Sequence, residues 1–143
     1  MNYSVIVLAA GRGSRTNLDY NKVFYTFENG QTVLNKSLSV FLSDDECKQV
    51  VLVCADYEKD YVNEHYTYDS RIQVVTGGQT RQDSVYNGLQ VVDQDYVMIH
   101  DGARPFVEKN WIFDLKQTLE TESACLLMVP SVDTTKFVVD GYV

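Results

Sequence analysis

Glycines and cations follow the first apolar segment of the chain, in an arrangement that could hold a polyphosphate. The sequence from Leu8 to Arg15 reads LAAGRGSR, and Lys22 stands one short loop further on. Glycines leave the backbone N–H groups open to phosphate oxygens, because no Cβ stands in the way. Arg12, Arg15 and Lys22 supply fixed positive charge. This spacing predicts a phosphate-binding loop, although this loop alone would also fit a flexible turn after a strand.

The loop differs from the two commoner phosphate-binding patterns. Thr16 stands where the dinucleotide fingerprint needs a third glycine, and no GxxxxGK[ST] sequence occurs in the chain. Two further motifs follow apolar strand candidates: GGQTRQDSVYNGL at 77–89 and VMIHDGARP at 97–105. In the second of these, Asp101 can ligate a metal or accept a hydrogen bond from a hydroxyl. Arg104 offers a planar fork that suits a phosphate.

With the late residues Asp133, Thr134 and Lys136, these motifs resemble the cytidylyltransferase family that activates 2-C-methyl-D-erythritol 4-phosphate with CTP in the non-mevalonate route to isoprenoids. The resemblance covers essentially the whole chain. Because family members usually continue well beyond this length, the chain looks like their N-terminal portion. The resemblance implies a Rossmann-like nucleotidyltransferase fold whose C-terminal part is missing. It divides the chain into an incomplete α/β domain at 1–136 and the start of a β-arm at 137–143.

The resemblance also implies roles for individual residues, substrates and a metal. It makes the protein an enzyme that transfers CMP from CTP to a sugar-alcohol phosphate, with Mg²⁺ bridging the phosphates and a homodimer in the full-length protein. Asp101 is the candidate metal ligand. Gly11 and Gly13 join the nucleotide site through the backbone argument above. The implied residues are Arg15 and Lys22 for catalysis, Ala9, Ala10, Gly78 and Ser84 for the nucleotide, and Asp101, Arg104 and Thr134 for the acceptor.

Other functions stay open at this point. A sister family with similar loops transfers CMP to ribitol 5-phosphate, but Ala103 and Lys136 favour the methylerythritol family. A catalytically weak nucleotide-binding fragment is the third possibility, because the chain is short. The sequence also departs from the family pattern, since the loop TNLDYNKVF lacks the proline that usually precedes the lysine and the methionine that usually follows the arginine. Arg81 could either contact a ligand or brace its own loop.

Composition favours a small anionic ligand over a nucleic acid. The net charge is −8, yet six of the twelve Lys and Arg residues lie within the motifs. Broad basic surfaces, which nucleic acids need, are therefore not expected. No apolar stretch is long enough to cross a membrane and no signal peptide is recognisable, which predicts a cytoplasmic protein. The three cysteines contain no CxxC pair and are expected to be free thiols.

Alternating strands and helices must position these motifs. Residues Leu34, Leu38 and Phe41 recur at helical spacing, as do Val85 with Leu89 and Ile112 with Leu115. Such alternation predicts one α/β domain with a doubly wound, mostly parallel sheet and ligands at the carboxyl ends of its strands. The strand candidates are 4–10, 49–55, 72–76, 96–100 and 124–129.

Overall fold

The computed structural model describes residues 1–11, 20–133 and 136. Strands and helices alternate along this part of the chain, as the periodicity predicts. The strands are β1 (Tyr3–Leu8), β2 (Cys47–Cys54), β3 (Ile72–Thr76) and β4 (Val97–Asp101). The helices are α1 (Val33–Leu42), α2 (Lys59–Tyr66), α3 (Arg81–Leu89) and α4 (Lys109–Thr118), with short 3-10 turns at Lys22–Phe24 and Asp56–Glu58.

All four strands run parallel in a single sheet, in the order β3-β2-β1-β4. The order reverses direction at β1, which pairs with β2 on one side and with β4 on the other. Val5 of β1 lies opposite Val50 and Met98. This is the strand order of one half of a doubly wound fold, so the predicted fold class is confirmed. Loops that follow β1 and β4 are neighbours at the point of reversal.

The two central strands form the core of the sheet. Five of the six residues of β1 and seven of the eight residues of β2 are buried. Both strands read as nearly continuous apolar runs, because a parallel sheet is covered on both faces.

Helix α3 is present as predicted, but its buried face differs from the apolar one that the spacing indicates. Ser84 and Gly88 face the sheet and are buried, whereas Leu89 is 41% exposed. The reason is close packing. A Cβ on Gly88 would lie 2.9 Å from Cγ2 of Ile6, so only glycine allows this approach.

The chain divides into two compact units, Met1–Lys109 and Asn110–Val143. The first holds the whole sheet, and the second holds most of α4. The predicted strand at 124–129 is wrong: none of the four described strands pairs with this segment, and Val129 is 87% exposed. An apolar run becomes a strand only where a neighbouring strand bonds its backbone. Residues 137–143, the predicted β-arm, lie outside the described residues.

No helix in the described part of the chain is long and apolar enough to cross a bilayer.

Candidate functional site

Loops from three motifs meet at the carboxyl edge of the sheet. Gly77, after β3, donates its N–H to Cys54 at 2.8 Å, and a Cβ added to it would lie 2.8 Å from that of Ala10. Gly102, after β4, donates its N–H to the carbonyl of Leu8 at 2.9 Å. The end of β1 is therefore flanked by the other two motifs, as the sequence predicts for a ligand site of this fold.

Ser84 holds the glycine loop against the start of α3. Its hydroxyl accepts a hydrogen bond from the N–H of Gly78 at 3.1 Å and donates one to the carbonyl of Thr80 at 3.0 Å. Thr80 and Asp83 form a capping box, in which each side chain binds the other residue's backbone N–H. A Cβ on Gly78 would lie 2.2 Å from that of Asp83. The backbone at 77–80 is fixed before any ligand binds.

The motif at 97–105, which we call the acceptor motif because the resemblance gives it that role, is held equally firmly through its backbone. The hydroxyl of Ser37 on α1 donates to the carbonyl of Gly102 at 2.7 Å. Arg104 donates its N–H to the carbonyl of Asp101 at 2.9 Å and accepts from Nε2 of His100 at 3.0 Å. Backbone groups on both sides of the turn are thus satisfied. Such a turn presents its side chains from a rigid base.

The carboxylate of Asp101 lies between two guanidinium groups. Arg81, the first residue of α3, reaches Oδ1 with Nη2 at 3.0 Å and Nε at 3.3 Å. Arg104 approaches Oδ2 with Nε at 3.1 Å. The arginine side chains are 65% and 77% exposed, so solvent weakens both ion pairs and their rearrangement around a ligand costs little. Asp101 therefore links the motif at 77–89, through Arg81, to its own motif at 97–105.

His100 supports this turn as a neutral ring. Burial lowers the pKa of its imidazole below the usual value, and its ring lies against that of Phe41 with centroids 5.2 Å apart. Because the partner of Nε2 is a carbonyl oxygen, the neutral ring carries its proton on Nε2.

Lys22 begins a 3-10 turn that starts beside the end of β1. Asn21 caps this turn, and its side chain also donates to the carbonyl of Ala9. Lys22 is half-buried, and its ammonium group makes no hydrogen bond or ion pair with the described residues. It is available for an anion. Arg12, Gly13 and Arg15 lie outside the described residues, as does Thr134.

The described part of the chain offers few metal ligands near Asp101. Such a site suits a metal ion that is bound partly by the phosphates of a nucleotide better than one that is bound by the protein alone. Within residues 1–11, 20–133 and 136, no group of three or more His, Cys, Asp or Glu side chains could enclose an ion. Asp101 offers a carboxylate, and both its oxygens face arginines. Mg²⁺ commonly takes one or two carboxylates, and phosphates and water complete its shell.

Two supporting residues were not assigned a role by the sequence. The sequence around Arg81 fits either a ligand contact or a brace, and the structure shows its guanidinium bound to Asp101. Ser37 carries no motif, and its position one turn after Val33 on α1 gives no chemical signal. Arg81 could have been found, because an arginine at the first position of a helix opposes the helix dipole and needs an acidic partner.

Comparison with known proteins points to one family. The family model described as IspD, 2-C-methyl-D-erythritol 4-phosphate cytidylyltransferase, matches residues 3–143. A protein of that name from Halalkalibacterium halodurans is 41% identical over 140 residues, which are 95% of this chain and 61% of the relative. One from Bacillus mycoides is 38% identical over 145 residues, covering 99% of this chain and 64% of the relative.

A solved structure gives the same picture. The 4-diphosphocytidyl-2C-methyl-D-erythritol synthase from Anaerococcus prevotii superposes with a TM-score of 0.81 at 28% identity, covering 97% of this chain and 60% of that one. The chain thus spans a little under two thirds of the length of these relatives.

Proposed function

The chain belongs to the 2-C-methyl-D-erythritol 4-phosphate cytidylyltransferase family, and we propose from this that the protein transfers CMP from CTP to the phosphate of 2-C-methyl-D-erythritol 4-phosphate. An oxygen of the acceptor phosphate attacks the α-phosphorus of CTP and forms a new P–O bond. The bond from the α-phosphorus to the oxygen bridging it to the β-phosphorus breaks. Pyrophosphate leaves with that oxygen and its electron pair.

The observation that carries this proposal is the meeting of three motifs at one edge of the sheet. Gly77 lies against Ala10, and Gly102 binds the carbonyl of Leu8, so the glycine loops and the acceptor motif surround the end of β1. A nucleotide and a second phosphate must be brought together for this reaction, and adjacent loops with separate cations provide for both. The sheet edge is also where open α/β folds bind ligands.

The reaction requires cations and correctly positioned substrates rather than a general base. A phosphate monoester with a second pKa of about 6 is already largely dianionic near neutral pH. The barrier comes from bringing two anions together and from charge on the α-phosphorus, which cations stabilise. We assign Arg15 and Lys22 to the triphosphate and its transition state. The absence of a bonded partner for Lys22 among the described residues supports its part in this assignment.

The nucleotide and acceptor subsites use different loops. We assign the cytidine to the backbone around Ala9, Ala10 and Gly78, with Ser84 holding that backbone in place, and the phosphates to Gly11 and Gly13. The acceptor falls to Asp101, Arg104 and Thr134. Arg104 contacts Asp101 only through Nε, and its two terminal nitrogens bind no other described residue. Both are therefore free to donate hydrogen bonds to one phosphate.

We propose Mg²⁺ as the cofactor, with Asp101 as the carboxylate that would ligate it directly or through water. When bound, the ion would neutralise phosphate charge and stabilise the leaving pyrophosphate. Asp101 also holds Arg81 and Arg104, so its substitution would disturb the acceptor site whether or not it touches the metal.

Partners and location complete the proposal. The free cysteines Cys47, Cys54 and Cys125 suit a reducing compartment, which supports a cytoplasmic enzyme, and the net charge of −8 supports a small anionic ligand over a nucleic acid. Family membership and the exposed apolar side chains of Leu126 and Val129 support a homodimer. Light scattering at micromolar concentration tests the dimer, and a monomer would contradict it.

Pyrophosphate release tests the proposed reaction. With CTP, Mg²⁺ and 2-C-methyl-D-erythritol 4-phosphate, the protein expressed from its complete gene should release pyrophosphate continuously. Omitting the acceptor, replacing CTP by UTP or adding a chelator should each suppress the release. Release that does not depend on the acceptor would indicate nucleotide hydrolysis and contradict the proposal.

A further inference from the structure

Asn21 is a buried amide next to the proposed catalytic lysine, and every polar group of its side chain is used. The side chain is almost fully enclosed, with the residue 6% exposed. Nδ2 donates to the carbonyl of Ala9 at 2.6 Å and to Oε2 of Glu58 at 3.2 Å. Oδ1 accepts from the N–H of Val23 at 3.3 Å. One side chain thus connects the turn that carries Lys22 to the end of β1.

The turn has little structure of its own. Lys22–Phe24 form a single 3-10 turn with two backbone hydrogen bonds, from Phe24 to Asn21 at 3.0 Å and from Tyr25 to Lys22 at 3.1 Å. Such short turns are not stable by themselves and depend on neighbouring contacts. Val23 is buried and anchors the apolar side of the turn. Asn21 is the polar link between this turn and the nucleotide loop.

The carbonyl that Asn21 binds belongs to a residue of the proposed nucleotide site. Ala9 is 1% exposed, and its N–H donates to the carbonyl of Val53 at 2.7 Å. Its backbone is therefore held on one side by the sheet and on the other by Asn21. The bond at 2.6 Å fixes the separation between the nucleotide loop and the start of the turn that presents Lys22.

We propose that Asn21 is a positioning residue that sets Lys22 relative to the phosphates, a role that rests on the proposed function of Lys22. The backbone geometry of Asn21 allows an experiment that distinguishes an effect on the position of Lys22 from an effect on the stability of the fold. Asn21 has φ −64° and ψ 122°, which a proline can adopt, and its own N–H makes no hydrogen bond with the described residues. Proline at this position would fix the start of the turn without the side-chain bonds.

Two substitutions and a matched control test the proposal in the protein expressed from its complete gene. Asn21→Ala removes the side-chain bonds and frees the turn, and should lower kcat about ten- to a hundredfold, because small displacements of catalytic groups have effects of that size. The KM for the acceptor should change less than twofold, an order-of-magnitude expectation for a group acting on the transition state. Asn21→Pro fixes the backbone at the start of the turn but lacks the bonds to Ala9 and Val23, so it should recover only part of the lost kcat.

Gln49→Ala is the matched control. Gln49 is also a buried amide, 7% exposed, which donates to the carbonyl of Val91 at 2.8 Å and accepts from Ser4 at 2.8 Å. It lies near the amino end of β2, away from the loops. The melting temperature of this variant should be lower than that of the wild type, and its kcat should be unchanged. If Asn21→Ala keeps kcat, or loses no more of it than Gln49→Ala does at a similar loss of melting temperature, the proposal is overturned.

Hydrogen exchange without ligand separates the failure of this proposal from that of the proposed function. The amide of Val23 should exchange faster in Asn21→Ala than in the wild type, because the substitution removes the Oδ1 atom that accepts its hydrogen bond. Unchanged exchange at Val23 would overturn the proposal, even in an active enzyme. A wild type that releases no pyrophosphate would contradict the proposed function, and faster exchange at Val23 would still support the link through Asn21.

Discussion

At the scale of single residues, the site consists of cations held in different ways. Lys22 has no bonded partner among the described residues, whereas Arg81 and Arg104 share the carboxylate of Asp101. Surface ion pairs of this kind contribute little to stability, so their value lies in orientation. The proposed roles follow this difference. A cation without a partner is suited to stabilise negative charge that develops in the transition state. A cation already paired with a carboxylate is suited to bind the phosphate of the acceptor.

Lys22→Ala and Arg15→Ala should each lower kcat by about 10² to 10³, the usual loss when one well-placed electrostatic group is removed. The melting temperature should stay unchanged in Lys22→Ala, because the ammonium group contributes no described bond to the fold. Steady-state pyrophosphate release measures the effect. Lys36→Ala, an exposed lysine on α1, is the matched control and should be fully active. Full activity in Lys22→Ala would remove this lysine from the mechanism.

Arg104→Ala should chiefly raise the KM for the acceptor, by about ten- to a hundredfold, since hydrogen bonds between charged groups contribute about 1.5 to 3 kcal/mol. The KM for CTP should change little. Kinetics with one substrate varied at a time distinguish these constants. An effect confined to CTP would contradict the assignment of Arg104 to the acceptor phosphate.

At the scale of elements, the loops at the carboxyl edge are fixed by their own backbones. The start of α3 is closed by the capping box of Thr80 and Asp83, and the turn after Asp101 is held by Ser37 and His100. Preorganised loops of this kind keep cations and N–H groups in place without a ligand. They also make the site sensitive to small changes in packing.

Gly78→Ala should weaken CTP binding and destabilise the protein by about 1 kcal/mol, the usual cost of losing a helix cap. The added methyl group would lie 2.2 Å from Cβ of Asp83 and would push the capping residue aside. Calorimetry of CTP binding and thermal unfolding measure both effects. Gly11→Ala is the stability control, since its added Cβ meets no atom of the described residues within 4 Å. Equal unfolding temperatures for the two variants would contradict this account of the loop.

The buried ring of His100 predicts a pH dependence of stability. Burial places its pKa in the folded state below the 6.5 of an exposed histidine, so the unfolded chain binds the proton more readily. The free energy of unfolding should therefore fall as the pH drops through about 6.5 and should level off below the folded-state pKa. Urea unfolding at a series of pH values measures this fall.

His100→Gln is the variant that tests this prediction. Its amide keeps a donor for the carbonyl of Arg104 and removes the titration, so the fall near pH 6.5 should disappear. A second loss at lower pH should persist in both proteins, because Arg71 lowers the pKa of Asp69 to about 2. An identical fall near neutral pH in His100→Gln would assign it to other groups.

At the scale of the whole molecule, the sequence predicted the sheet well and its surroundings less well. The apolar runs at 4–10 and 49–55 became β1 and β2, because a strand buried on both faces leaves a clear pattern. The run at 124–129 did not become a strand, since pairing depends on a neighbour that local sequence does not specify. The described parts of the three motifs meet at the carboxyl edge of the sheet, as the sequence predicted. Contacts between them, such as Arg81 with Asp101, depend on the strand order and appear only in three dimensions.

The choice of acceptor is the most direct test of the proposed function. The protein expressed from its complete gene would receive CTP, Mg²⁺ and equal amounts of 2-C-methyl-D-erythritol 4-phosphate and ribitol 5-phosphate, and mass spectrometry would identify the CMP-linked product. We predict the methylerythritol product in large excess, with one pyrophosphate released for each product formed. A predominant ribitol product, or no CMP-linked product from either acceptor, would contradict the proposed function.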